Sequence, residues 1–439
     1  MALEGELRNN ARPRRRAVSW MEKALKFLSR ILVVASLVLA PALPVIAQGP
    51  PPHLPADILM EAVDEARVQY LAGNVVVDGP VTGGLKFEFP DAFYAGRLFL
   101  LGESHGSAAP QVLDLELLAH LNQRIGLSDY VAEVDPVQAM HLNDYLDNGD
   151  EGVLDRVFDL WNSGSQWASV AFEEKVRGIR ALNQSLPVER RIRFHGLDAI
   201  QDWPLLVQSL QARDVDIDAG AMLAAKGSAA RARIAADALQ IAGEDPDAFL
   251  LAALRRQADG ADREATIFGN YAHLVGTGPL LDRPAYGLWG LAHVLQDEVN
   301  ATTYWAGRVR ASSLSSASGL RSIVMYGLDS AAQFPVPLPT GVAWVRFADS
   351  NVDGPVVKLS GSASLRAASE PDRIRVFAID GAQSPYRSGQ QLVALRSSID
   401  RGLTPSPDAV TTDFIQYVGV YRNSDWAVPR EGSGPVLGP

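Results

Sequence analysis

Four short apolar segments, residues 97–102, 130–133, 192–196 and 285–290, each run out into glycine or a polar side chain. Between the first two, Leu113, Leu117, Leu118, Leu121 and Ile125 recur near the helical period, which predicts an amphipathic helix over 111–125. Uninterrupted apolar runs of strand length alternating with helices are the mark of strands buried on both faces. The pattern therefore predicts an α/β fold with a mostly parallel sheet covered by helices. Segments 322–326 and 374–379 read as later strands of the same sheet, and 56–72 as the first helix. Residues 205–275 depart from this rhythm. They are alanine-rich, with Leu239, Ile241, Phe249, Leu250, Leu251 and Leu254 set among charged residues, and predict a helical insertion or cap.

The amino terminus follows a different logic. Lys23, Lys26 and Arg30 precede the apolar run 31–40, Pro41 and Pro44 stop it, and Val45-Ile46-Ala47 offers the small residues that a signal peptidase requires. Residues 1–47 thus read as a secretion signal cut after Ala47, with Met21 beginning a conventional signal and 1–20 an overextended start. The apolar run falls short of the ~20 residues that span a bilayer, so no stable membrane span is expected after cleavage, and the destination is periplasmic or secreted. Residues 48–56 read as a linker, 57–430 as one domain including the insertion, and 431–439 as a flexible tail.

Composition narrows the chemistry. The net charge is −11 and the dense basic run Arg14 to Arg16 lies ahead of the signal, so the charge pattern that nucleic acid demands is missing from the mature chain. Cysteine is absent, which removes disulfides, thiolate metal ligands, a thiol nucleophile and the acylated cysteine of a lipoprotein. A small-molecule substrate is the expected partner.

The strongest local feature is Leu100-Leu101-Gly102-Glu103-Ser104-His105-Gly106, placed where a strand ends. Glu103 and His105, two apart in extended chain, point to one side. Glu133 ends the second apolar segment, Asp198 follows the third and His293 follows the fourth. Ends of neighbouring parallel strands converge, so these residues are expected in one cleft beyond the sheet. Each also has a plainer role available, as a helix cap, a turn residue or a buried ion-pair partner. Ser104 fits the letters of a Gly-x-Ser-x-Gly elbow, but no acid-then-histidine pair completes a triad downstream. His195 reads as a core histidine; His53, His120, His141 and His273 read as linker or helix residues. Trp161, Trp167 and Trp203 read as packing residues.

In series, Gly102-Glu103-Ser104-His105-Gly106, Glu133 with Leu142-Asn143-Asp144-Tyr145-Leu146, Phe194-His195-Gly196-Leu197-Asp198, Arg263 with Asn270, and Trp289-Gly290-Leu291-Ala292-His293 resemble the erythromycin esterase-like hydrolases. That family lies in a wider group with the ChaN-like haem-binding lipoproteins and the Tiki and TraB-like proteins. The resemblance implies that His105 is the base that activates water, with Glu103 and Glu133 as its carboxylate neighbours and His293 as a second pocket histidine. It further implies Asp198, Arg263 and Asn270 as substrate-binding residues, no cofactor and no metal. Two departures stand out. One residue separates Glu103 from His105 where the esterases usually have two, and no arginine occurs in 111–118. The spacing is that of the ChaN-like and Tiki groups, which keeps haem or ligand binding and a metal-dependent peptidase, with His105, His293 and carboxylates as ligands, as alternatives.

Overall fold

A computed structural model describes residues 52–242, 248–339, 341–349 and 351–437; the signal read over 1–47 lies outside them. The strands are β1 (Val75–Pro80), β2 (Lys86–Phe87), β3 (Leu98–Glu103), β4 (Asp129–Ala132), β5 (Arg193–Gly196), β6 (Ala285–Gly290) and β7 (Leu320–Leu328). They continue with β8 (Ala332–Leu338), β9 (Gly341–Phe347), β10 (Val357–Leu359), β11 (Arg373–Ala378), β12 (Leu395–Ser397), β13 (Tyr417–Arg422) and β14 (Val436–Leu437). Nine of them form the main sheet in the order β2-β1-β11-β13-β7-β3-β6-β4-β5. From β13 to β5 every pairing is parallel; β11, β1 and β2 add an antiparallel edge. The fold is α/β, as the apolar segments imply.

Two-sided burial explains those segments. On β3, Leu98 and Leu100 enter one core with Val131, Trp289 and Val324, while Phe99 and Leu101 enter another with Tyr130, Leu288 and Met325. Successive side chains of a strand point to opposite faces, so a strand covered on both sides must be apolar throughout. Helix Ala109–Ile125 covers the second face through Leu113, Leu117, Leu118 and Leu121, all fully buried, and ends on Gly126 in the left-handed conformation.

The alanine-rich region forms helices Trp203–Gln211, Ala219–Ala224, Ser228–Ile241, Ala248–Ala258 and Arg263–Thr277. Most of them share a separate small core around Trp203, Leu206, Leu239 and Leu254. Small alanine faces let helices approach closely, which suits a cap rather than a sheet layer.

Two expected elements differ. Residues 56–72 form two helices, Ala56–Leu59 and Glu65–Ala72. Asp64 starts the second one by accepting from the backbone of Ala66 and Arg67, and Glu61 turns away to accept from Gly361 and Ala363. A side-chain cap thus defeats helical periodicity across the break. In the segment read as a tail, Ser433 is buried and β14 pairs in parallel with β9 at Val436↔Trp344.

Candidate active site

Register brings the chemistry together. β6 lies between β3 and β4, and Glu103 at the end of β3 is level with Gly290 at the end of β6. Glu133 leaves the end of β4 just beyond them, while His105 and His293 follow β3 and β6, the latter on the short 3-10 turn Leu291–Val294. Beyond Glu133 the chain turns sharply into helix Pro136–Asn148, whose start is held by a capping box between Asp135 and Gln138. Gly106 takes φ +95°, and a Cβ there would meet the Gln333 carbonyl oxygen at 2.6 Å. Only glycine serves that turn. Gly290 is constrained from the other side, since a Cβ would stand 3.0 Å from His105 Nε2.

The imidazole of His105 is fixed at one nitrogen and free to act at the other. Nδ1 lies 3.1 Å from Glu103 Oε1, and Gln111 Nε2 donates to both Glu103 oxygens at 3.1 Å. With both carboxylate oxygens accepting, Nδ1 is the protonated nitrogen and Nε2 the accepting one. Nε2 faces the cavity, 4.0 Å from Glu133 Oε2, and the edge of Trp167 closes on the ring with a centroid separation of 4.2 Å. Burial alone would lower the His105 pKa, but the Glu103 hydrogen bond and the Glu133 charge outweigh it and raise the pKa. Burial likewise pushes Glu103 up against the opposing pull of His105.

Glu133 is the hub. Its Oε2 accepts from the Gly290 N–H at 2.6 Å, and its Oε1 accepts from Arg263 Nη2 at 2.7 Å and lies 3.4 Å from His293 Nε2. Burial would raise this carboxyl, yet His293, Arg263, His105 and the Gly290 amide bring it down to about 2. Arg263 Nη1 sits 3.1 Å from His293 Nε2. His293 Nδ1 lies 3.0 Å from Glu264 Oε1. Arg263 is also clamped by Asp198, with Nε 3.0 Å from Oδ1 and Nη2 2.7 Å from Oδ2.

These contacts put the seven sequence candidates in distinct positions. Glu103, His105, Glu133 and His293 line one cavity of about 140 Å3, whose walls continue onto Tyr304, Met325 to Gly327, the β8–β9 hairpin and residues 395–403. Asp198 and Arg263 stand behind that wall and hold Glu133 and His293. Asn270 is apart from it: fully buried, it donates to the Leu197 carbonyl at 2.7 Å and accepts from Arg256. It braces the loop that carries Asp198. Ser104 is exposed and, among the described residues, makes no hydrogen bond to His105. His195 bonds Asp129 at 2.9 Å, in keeping with a structural histidine.

A divalent cation fits this donor set poorly. Both oxygens of Glu103 and both of Glu133 already accept hydrogen bonds, one of them from a guanidinium. Among the described residues no group of three or more acidic or histidine side chains is disposed to hold a metal. Residues the motif reading passed over are Gln111, Glu264 and the hairpin. Glu264 adjoins Arg263 in sequence, and Gln111 opens the helical stretch 111–125.

Comparison with known proteins adds the fold. No protein-family model matches the chain, and no curated protein matches it. A crystal structure of a succinoglycan biosynthesis protein aligns over 84% of this chain and 100% of that chain, with TM-score 0.61 and 11% identity. A Bacillus cereus protein aligns over 84% of this chain and 99% of that one, with TM-score 0.57 and 12% identity. A mutant of the erythromycin esterase EreC in its open conformation aligns over 76% of this chain and 92% of that one, with TM-score 0.49 and 14% identity. By fold the chain stands with the succinoglycan biosynthesis protein and the Bacillus cereus protein.

Proposed function

We propose that this chain is an exported hydrolase that cleaves an ester or lactone bond with a water activated by His105. One observation carries the reading: the imidazole is tied at Nδ1 to Glu103 and turns Nε2 into a cavity beside Glu133. A carboxylate that selects the tautomer leaves the other nitrogen ready to take a proton. Water held at Nε2 attacks the carbonyl carbon as its proton passes to His105. Glu133 stabilises the imidazolium so formed, and the proton then goes to the leaving oxygen as the tetrahedral carbon collapses. Arg263 holds Glu133 and His293 in place and is a positioning residue. The order of motifs along the chain, which resembles the erythromycin esterase-like hydrolases, supports the same reading.

The test is a panel of esters, lactones and macrolides given to the wild type and to His105→Ala. Turnover by the wild type and its loss in the variant are expected; equal turnover by both rejects the base assignment.

A further inference from the structure

Trp161, Trp167 and Trp203 read alike in sequence, as packing residues, and the structure divides them. Trp161 and Trp203 are buried in apolar cores. Trp167 is only half-buried, and its ring lies against the imidazole of His105, with the centroids 4.2 Å apart and the planes at 72°. It belongs to the connection between helices Glu151–Trp161 and Val170–Ser185.

Two successive residues of that connection grip the same histidine. Gln166 Nε2 donates to the His105 carbonyl at 3.2 Å and to the Gln333 carbonyl at 2.6 Å, which holds the backbone, while the Trp167 ring meets the side chain. The connection is itself held from outside. The Arg430 N–H donates to the Ala168 carbonyl and the Val170 N–H to the Val428 carbonyl, both at 2.9 Å, and the Trp167 ring packs on Phe172 with the centroids 5.6 Å apart. Gln166 lines the cavity and Trp167 does not, so the indole can act on the reaction only through the base.

A hydrogen bond at one nitrogen leaves a ring free to turn about that contact. For His105 the contact is Nδ1 to Glu103 at 3.1 Å, and among the described residues Nε2 makes no hydrogen bond. A large ring packed against the imidazole removes the rotations that would carry Nε2 out of the cavity. Resting on the hydrolytic reading above, we propose that Trp167 is a positioning residue for His105, holding the imidazole with Nδ1 on Glu103 and Nε2 toward the cavity. Orientation of a reacting group is a large part of its effect, since misplacement by about 1 Å can cost about 100-fold in rate.

The test reads the contact and its consequence separately. An imidazolium against an indole quenches its fluorescence, so the emission of the wild type minus that of Trp167→Phe should rise with pH as His105 loses its proton. The same difference taken in a His105→Ala background should be flat. With phenyl acetate as substrate, Trp167→Ala should lower kcat roughly tenfold and change KM less than about twofold, because the indole does not line the cavity. Trp167→Phe keeps an aromatic contact and should recover at least about half of the wild-type kcat. If the alanine variant misfolds, Trp167→Leu, which fills space without a ring, repeats the measurement. A flat fluorescence difference with His105 present, or an unchanged kcat, overturns the assignment. A raised KM with unchanged kcat overturns it as well, by putting the indole on the substrate. If the wild type turns over no ester while the fluorescence difference still follows His105, the hydrolytic reading falls and the grip of Trp167 on His105 stands.

Discussion

Two buried charge clusters lie near strand β4, and they are built for different ends. At its carboxyl end Arg263 is hydrogen-bonded to Glu133, Asp198 and His293, and His105 Nε2 stands 4.0 Å from Glu133 beside a cavity. Within the helical layer Lys175 meets Asp114 at 2.8 Å, Tyr130 donates to the same Asp114 oxygen at 2.7 Å, and the Lys175 ammonium lies over the Phe172 ring at 4.1 Å. The lysine side chain is 2% exposed and the aspartate 0%. No residue of that pair touches the cavity wall. Burial and charge are therefore common to both clusters; what differs is a titratable nitrogen facing open space. A buried ion pair sealed on every side can hold helix Val170–Ser185 to helix Ala109–Ile125, but it has nothing to react with.

The largest effect that would break this contrast is catalytic. His105→Ala should lower kcat by about two to four orders of magnitude, the usual contribution of a general base. Its melting temperature should hardly change, since the ring sits at a cavity edge rather than in the apolar core. A variant that melts far below the wild type would put His105 on the structural side. Lys175→Met should give the opposite pattern. Leaving Asp114 buried without its cation should cost about 3–5 kcal/mol of stability, read by denaturant unfolding, while kcat of the folded fraction stays within about threefold.

A smaller effect sharpens the comparison from within the site. Hydrolysis requires neutral imidazole, so kcat/KM should rise with pH through the His105 pKa, which the surrounding carboxylates hold above its ordinary value of about 6.5. Glu133→Gln removes one of those negative charges, and the rising limb should move to lower pH. The rate at high pH should fall by about tenfold as the imidazolium loses its partner. A limb that stays in place would separate Glu133 from the base.

The two clusters were unequally legible in sequence. Glu103, Glu133 and His293 are marked by position, because each stands where an apolar run of strand length stops and parallel strands deliver such residues to one edge. Asp114 and Lys175 carry no such mark: both lie mid-helix, Asp114 between Leu113 and Leu115 and Lys175 after Glu173-Glu174, and their meeting depends on how two helices pack. β13, as long as β3 and β6, also went unread, and the β8–β9 hairpin is disguised by its prolines at 335 and 337. Proline suits an edge or a partly exposed strand, and residues 335–338 are only half-buried. Arg263 and Glu264 show the intermediate case: the arginine stood out through its motif, while its neighbour, which orients His293, needed the helix to show which way it faces.

The smallest expected effect concerns Ser104, where sequence letters and site geometry point in opposite directions. Gly102-Glu103-Ser104-His105-Gly106 spells an elbow around a serine nucleophile, and a serine needs a base within about 2.6–3.2 Å to lose its proton. Nδ1 of the adjacent imidazole lies 3.1 Å from Glu103, and among the described residues Ser104, which is exposed, makes no hydrogen bond to either ring nitrogen. Ser104→Ala should therefore change kcat/KM by less than about threefold, and no acyl-enzyme should accumulate in a rapid-quench experiment with phenyl acetate. A burst of phenol equal to the enzyme concentration that disappears in Ser104→Ala would overturn water activation by His105. It would replace that mechanism with a covalent one.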